Sequence, residues 1–187
     1  MSGAPRIAPG TRAETGRVNA LIARVIGLGG GTVGPPNLFT TLGRHRRLFR
    51  PWLRFAGRLM PGGALPRADA ELVILRVAHL CDAPYERAHH ERIGVRAGLS
   101  RDQVAALSID DPPSSTFSER QRAIVTAVDE LVARHGLADA TWDRLVGVGL
   151  SERQLIELPM LTGHYTMLAM TLNALRVQPD TFRRRGR

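Results

Sequence analysis

Apolar residues recur along this chain at helical spacing and almost nowhere in strict alternation. In Arg67–Leu80, the positions Ala70, Val73, Ile74, Val77, Ala78 and Cys81 step by three and four, which predicts a helix with one buried face. Glu14–Gly27 predicts a first helix, stopped by the glycine-rich GLGGGTVGPP. That stop lacks the Gly-Lys-Ser/Thr ending of a phosphate loop, and no strand precedes it. Asn37 is expected to cap a second helix, Pro51 to interrupt the next run, and Gly62 and Gly63 to turn the chain. Asp82 as N-cap, with Pro84 in the first turn, predicts a helix reaching about Arg96. Gly98–Gln103 and Gly149–Gln154 each place a Gly stop before a Ser cap with Gln three residues on, a capping box used twice. A polar loop from Asp110 to Ser115 leads to helices Ser118–Arg134 and Ala138–Val146. No run of alternating β-branched and polar residues with hairpin turns is present. The pattern predicts an all-α architecture of about eight helices.

Leu155–Leu175 is about as long as a membrane span. It carries Glu157, Pro159, His164, Thr171 and Asn173, however, and is read as a buried core or interface helix, with no membrane partner expected. The 187 residues, 43% of them hydrophobic, suffice for one domain with its own core. The expected division is an N-terminal helical arm and Gly-rich turn at 1–34, a single helical domain at 35–180, and a basic tail at 181–187. The tail is expected to be solvated and frayed. All 26 basic residues are Arg, and with 17 acids they give a net charge of +9. The all-Arg usage, with abundant Ala and Gly, resembles compositional bias. The cluster Arg44, Arg46, Arg47, Arg50 and Arg54 is broken by Phe49, Trp52 and Leu53 at core-like spacing. Nucleic acid is therefore not the expected partner. The single Cys81 excludes an intramolecular disulfide and a Cys-based structural zinc site. The N-terminus shows no secretory pattern, so a cytoplasmic location is expected.

The chemistry gathers in Glu71–His90, ELVILRVAHLCDAPYERAHH. Glu86 and His90 are four apart and share a helix face, and Tyr85 and His89 form a second such pair. Glu71 lies on a nearly all-apolar stretch and must find a partner or stay neutral. If the two helices form a hairpin, Glu71 can approach Glu86 and His90. Neighbouring carboxylates beside a histidine separate into an acid and a base. The structural alternatives are an exposed Glu86–His90 ion pair and a Glu71–Arg67 pair one turn back. A metal reading would use His90 with Glu86, and Glu71 or His164 as a third ligand. No HExxH spacing supports it, and no metal or cofactor is expected. Cys81, on the apolar stripe, reads as an inert buried thiol. His164, in Gly163-His164-Tyr165, is either a satisfied core histidine or a substrate contact.

This region resembles the carboxymuconolactone decarboxylase and alkylhydroperoxidase-D-like superfamily. The peroxidase branch carries Glu-x11-Cys-x2-Cys-x3-His, and here the same spacing reads Glu71-x11-Ala83-x2-Glu86-x3-His90. Further likeness lies in Glu71–Arg76, Tyr85-Glu86, the double His, Gly163-His164-Tyr165 and Asn173. The resemblance implies an AhpD-like helical bundle assembling as a homo-oligomer, a trimer or hexamer. Both cysteines of the redox pair are absent, so thiol–disulfide chemistry of the peroxidase type is not expected. The decarboxylase-like branch, which works by acid/base chemistry without a redox cofactor, fits Glu86 and His90 better.

The expected activity is a cofactor-independent lyase or isomerase acting on a small carboxylated lactone or related enolisable acid. Glu71, Glu86 and His90 are the expected catalytic set, with Tyr85, His89 and His164 in substrate binding. Arg76 and Arg87 are candidates to hold a carboxylate. The competing readings are a non-catalytic oligomer that binds a small acid or serves as a scaffold, and, below it, peroxidase activity by superfamily analogy.

Overall fold

The computed structural model describes residues 3–183, and among these it contains ten α-helices, one 3-10 turn and a single isolated β-bridge. The sequence prediction of an all-α chain holds. The chain forms two compact units, one made of residues 1–56 with 171–187, the other of residues 57–170.

The first unit starts with α1 (Arg12–Thr15) and α2 (Arg17–Gly30). The single helix expected over Glu14–Gly27 is divided at Gly16, whose φ of 84° is left-handed and breaks the helical ladder. The Gly-rich stretch is mostly the last turn of α2, closed by Gly31 in the αL conformation. Asn37 is not an N-cap. It is the first residue of α3 (Asn37–Leu42), and its backbone N–H is satisfied by Asp180 Oδ1 at 2.8 Å. Pro51 does not interrupt the next run either, but lies inside α4 (Arg46–Leu59). Pro51 and Arg47, four residues before it, are both exposed, so water can solvate the carbonyl that loses its bond. The expected frayed tail is held at its start. Val33 N–H donates to Thr181 O at 2.8 Å, and Arg183 N–H to Gly31 O at 2.9 Å. The rest of that tail, 184–187, lies outside the described residues.

The second unit is organised around α5 (Arg67–Leu80), which matches its predicted span. The expected one-sided burial does not hold, because every residue from Asp69 to Ala78 is buried. The helix is wrapped on all sides, by α6 (Pro84–Ala97) and α8 (Glu119–Arg134) among others. Enclosing a helix that carries Asp69, Glu71 and Arg76 requires partners for each charge. Asp69 receives Arg120 at 2.9 Å, and Arg76 meets Asp129 at 2.6 Å and donates to the carbonyls of Ile109 and Asp110. Between α5 and α6, Asp82 takes φ 45° as the turn residue and Ala83 is the N-cap, one position later than predicted. Pro84 opens α6 as expected. The capping boxes at Ser100/Gln103 and Ser118/Gln121 are formed, at α7 (Arg101–Ala106) and α8. Ser151/Gln154 makes the same reciprocal bonds at the start of α10 (Glu152–Leu175), after α9 (Asp139–Gly147). No helix among the described residues is long and apolar enough to cross a membrane.

Candidate active site

The α5–α6 hairpin aligns Glu71 with His90. His90 Nδ1 lies 2.7 Å from Glu71 Oε2, a charge-assisted hydrogen bond between a fully buried carboxylate and a largely buried ring. The other carboxylate oxygen, Oε1, is 3.0 Å from Arg67 Nη2, an ion-pair contact without hydrogen-bond alignment. Glu71 therefore spans a guanidinium and an imidazole. Held through Nδ1, His90 turns its Nε2 away from Glu71. Tyr165 of α10 meets the His90 ring edge-to-face, with centroids 5.3 Å apart, and meets His164 in the same way. Burial, reinforced by the charges of Glu71 and Glu86, pushes the Tyr165 hydroxyl upward, so it stays a neutral O–H.

Glu86 differs from Glu71. Its side chain is only 2% exposed, and neither carboxylate oxygen has a hydrogen-bond partner among the described residues. Burial pushes its pKa up to about 8, so at neutral pH it carries a proton. The i, i+4 pair predicted between Glu86 and His90 is replaced by the His90–Glu71 bond across the hairpin. Ala78, Ala83 and Ala169 form one small buried cluster with Cys81 packed against it. The Cys81 thiol is raised by burial, lowered in part by a Thr166 hydrogen bond, and raised again by the Glu86 charge. Such a thiol is poorly ionised at neutral pH. His164 is buried on α10, and burial lowers its pKa.

Tyr85 and His89 stack on one another, with ring centroids 4.9 Å apart, so the two histidines separate by role. His90 meets Glu71 and His89 lies along Tyr85. Both arginines suggested for a substrate carboxylate are engaged with other groups. Arg76 is committed to Asp129 and two carbonyls, and Arg87 contacts His79 Nδ1 at 3.3 Å. The cation of the cluster is Arg67, which the sequence offered only as a structural partner of Glu71. Tyr165 also escaped assignment. Its signal was adjacency to His164 on a helix, and periodicity does not say which of two neighbours turns inward. Among the described residues, no three His, Cys, Asp or Glu side chains are grouped to hold a metal ion. An open cleft of about 540 Å³, lined by Asp111, Phe117, Arg122, Asp129 and Arg144 among others, includes none of these residues.

An all-α unit with an acidic residue on its central helix and histidines one hairpin later defines an AhpD-like protein. Residues 46–130 match the model of the Carboxymuconolactone decarboxylase family, which supports assignment to the superfamily of carboxymuconolactone decarboxylase and AhpD. Solved structures share the fold at low identity. A peroxidase-related protein from Silicibacter sp. TM1040 superposes with a TM-score of 0.76 at 15% identity, over 88% of this chain and 86% of that one. A protein described as an alkylhydroperoxidase AhpD core, from Ralstonia eutropha JMP134, gives 0.75 at 20% identity over 96% and 94%. A cysteine-to-alanine variant of the debrominase Bmp8, in complex with 2,3,4-tribromopyrrole, gives 0.76 at 19% identity over 95% and 93%. No curated protein matches the chain in sequence.

Proposed function

We propose that this protein is a homo-oligomeric, cofactor-independent acid/base lyase or isomerase acting on a small carboxylated lactone or a related enolisable acid. The observation that carries the reading is the 2.7 Å bond from His90 to a buried Glu71, beside a Tyr165 whose hydroxyl also feels a second buried carboxyl, Glu86, protonated at neutral pH. In a decarboxylation, the C–C bond to the carboxylate breaks, CO2 leaves, and its electron pair stays on the substrate as an enolate. His90 is positioned by Glu71 and stabilises that charge through Nε2. Glu86 delivers the proton that the enolate carbon takes up, and is reprotonated from solvent. An isomerisation uses the same groups, with the proton first removed from carbon. Arg67 fixes Glu71 and is the cation nearest to hand for a substrate carboxylate.

Ala83 and Glu86 stand where the peroxidase pattern has its two cysteines, which argues against disulfide-based peroxide reduction. The second reading, binding of a small acid without turnover, is favoured by the buried Glu86 carboxyl, a hydrogen-bonding group without a protein partner among the described residues. A panel of small carboxylated lactones, followed by CO2 release and by deuterium uptake at carbon from D2O, separates the two. Turnover lost in both Glu86→Gln and His90→Ala, and kept in Cys81→Ser, supports the enzyme. Binding of these acids without turnover would sink it and leave the binding protein.

A further inference from the structure

One side chain on the inner stripe of α10 breaks its pattern. Leu158, Leu161, Tyr165 and Leu168 step by three, four and three and are all buried, with Thr162 and Ala169 buried beside them. Two of these carry a hydroxyl. Thr162 donates to Leu158 O at 2.9 Å, the usual way a helical threonine satisfies itself. Tyr165 has no such outlet. Among the described residues its hydroxyl makes no hydrogen bond, although the residue is only 7% exposed. A phenylalanine would fill the same place without burying an unpaired O–H, which is costly. The hydroxyl therefore asks for a partner from outside the chain.

Its surroundings say where that partner would sit. The Glu86 oxygens are unpaired and closed off from the surface, whereas the Tyr165 oxygen is unpaired and not closed off. His90 Nε2 is in the same condition, because Glu71 takes only Nδ1. The His90 and Tyr165 rings meet edge-to-face with centroids 5.3 Å apart, so the two open polar atoms belong to neighbouring rings of one unit. Burial, and then the charge of Glu71, oppose ionisation of the phenol, so it is held as a donor.

We propose that Tyr165 is a catalytic residue whose hydroxyl donates a hydrogen bond, beside His90 Nε2, to the oxygen on which negative charge gathers when the substrate becomes an enolate. This deepens the reading of the same site and rests on it for the identity of that oxygen. As the C–C bond to the carboxylate breaks and CO2 leaves, the electron pair passes into the adjoining carbonyl group, and its oxygen takes the charge. Tyr165 shares its proton with that oxygen and keeps it, since a phenolate would form in a buried place beside Glu71. The proton taken up at carbon still comes from Glu86. A phenol suits the task for a further reason. Nε2 donates only while His90 is an imidazolium, because Nδ1 holds the other proton against Glu71, whereas the phenol donates in either state of His90.

The test reads binding and turnover separately in the full-length protein and in Tyr165→Phe, with both folds checked by circular dichroism. The probe is 4-nitrophenol, whose coloured anion carries its charge on an oxygen attached to a flat ring. Nitrobenzene, the same ring without that oxygen, is the control. The parent is expected to bind the anion. Tyr165→Phe should bind it at least about tenfold more weakly, the loss of one hydrogen bond to a charged group, with nitrobenzene affinity unchanged. On a confirmed substrate Tyr165→Phe should lower kcat by about a hundredfold or more with KM little changed. Equal affinity of parent and variant for the anion, equal losses for anion and control, or an unchanged kcat would overturn the proposal. So would a parent that ignores the anion. Failure of the lyase reading looks different: no lactone is turned over, yet binding of the anion still depends on the Tyr165 hydroxyl. That result would remove the reaction and support Tyr165 as the donor.

Discussion

The two glutamates of the α5–α6 hairpin are set apart by what surrounds each carboxyl. Glu71 lies between Arg67 and His90, whereas Glu86 is buried with no hydrogen-bond partner among the described residues. A carboxyl raised from 4.5 to about 8 on folding binds more protons folded than unfolded across that window. Stability is therefore greatest below about pH 4.5 as far as Glu86 is concerned, and falls as pH rises toward 8, by about 1.4 kcal/mol per pH unit at most. Glu86→Gln keeps the neutral shape and removes the titration. It should raise the melting temperature relative to the parent at pH 8 to 9 and change it little near pH 4.5, which thermal denaturation across the pH range will check. If Glu86 is the proton donor, kcat of the parent on a confirmed substrate should also decline as pH passes through about 8. A rate flat from pH 6 to 9 would contradict that role. These residues were legible in the sequence as a group, because acids and histidines on an apolar helical run are costly without a purpose. Their pairing was not legible. The i, i+4 rule joins Glu86 to His90 within α6, and only the hairpin angle, set by the Asp82 turn, hands His90 to Glu71 instead.

At the scale of elements, local rules held where the signal was local and failed where packing or solvent decided. Ser100, Ser118 and Ser151 cap their helices as the Ser-x-x-Gln spacing dictates. The structure adds a link no spacing could show. Gln103 Nε2 donates to Gln121 Oε1 at 3.0 Å, and the same oxygen accepts the Ser118 N–H, so two capping boxes share one bond network. Gln103→Ala should consequently cost more than the usual cap loss of about 1 kcal/mol, and its effect should be less than additive with Gln121→Ala. Urea denaturation of the two single variants and the double variant measures this; strict additivity would mean that the boxes act alone. Asn37 and Pro51 were misread because each obeys its propensity only when nothing better is offered. Asp180, 143 residues away in sequence, supplies the cap of α3, and exposure lets α4 run through a proline. The full burial of α5 was hidden for a related reason, since Asp69, Glu71 and Arg76 look like an outer face until their partners Arg120, Arg67, His90 and Asp129 are known. Arg76→Ala leaves a buried gap and two loop carbonyls unsatisfied, beside a part-exposed Asp129 that water can solvate, and should cost about 2–3 kcal/mol. Arg76→Lys should not restore it, because one ammonium cannot reproduce the forked contacts.

The whole molecule poses a question of cover. On α10, Ile156, Met160, Met167 and Met170 are exposed, and with Gly163 they advance by four, three, four and three residues, the stepping of a helix-packing seam. A Cβ on Gly163 would meet nothing within 4 Å, which leaves the middle of the seam open to a close neighbour. This row belongs to residues 57–170, whose 12 arginines and 15 acids nearly cancel, so two copies can approach it without strong like-charge repulsion. The proposed homo-oligomer should therefore form here, through helix-on-helix contact of unbranched, adaptable methionines. Light scattering on the purified protein is expected to give a trimer or hexamer of the 20.5 kDa chain. Met160→Glu/Met167→Glu puts two charges on the seam and should weaken association by a hundredfold or more, about 3 kcal/mol, while far-UV circular dichroism stays unchanged. A parent protein that runs at 20.5 kDa at all concentrations refutes the assembly, and a variant that keeps the parent's mass moves the interface off α10. The consequence for the site is direct, because His164 and Tyr165 sit on the same helix between Met160 and Met167. If packing at the seam fixes α10, the monomeric variant should lose kcat on a confirmed substrate through a displaced Tyr165, with Glu71, His90 and Glu86 all still present.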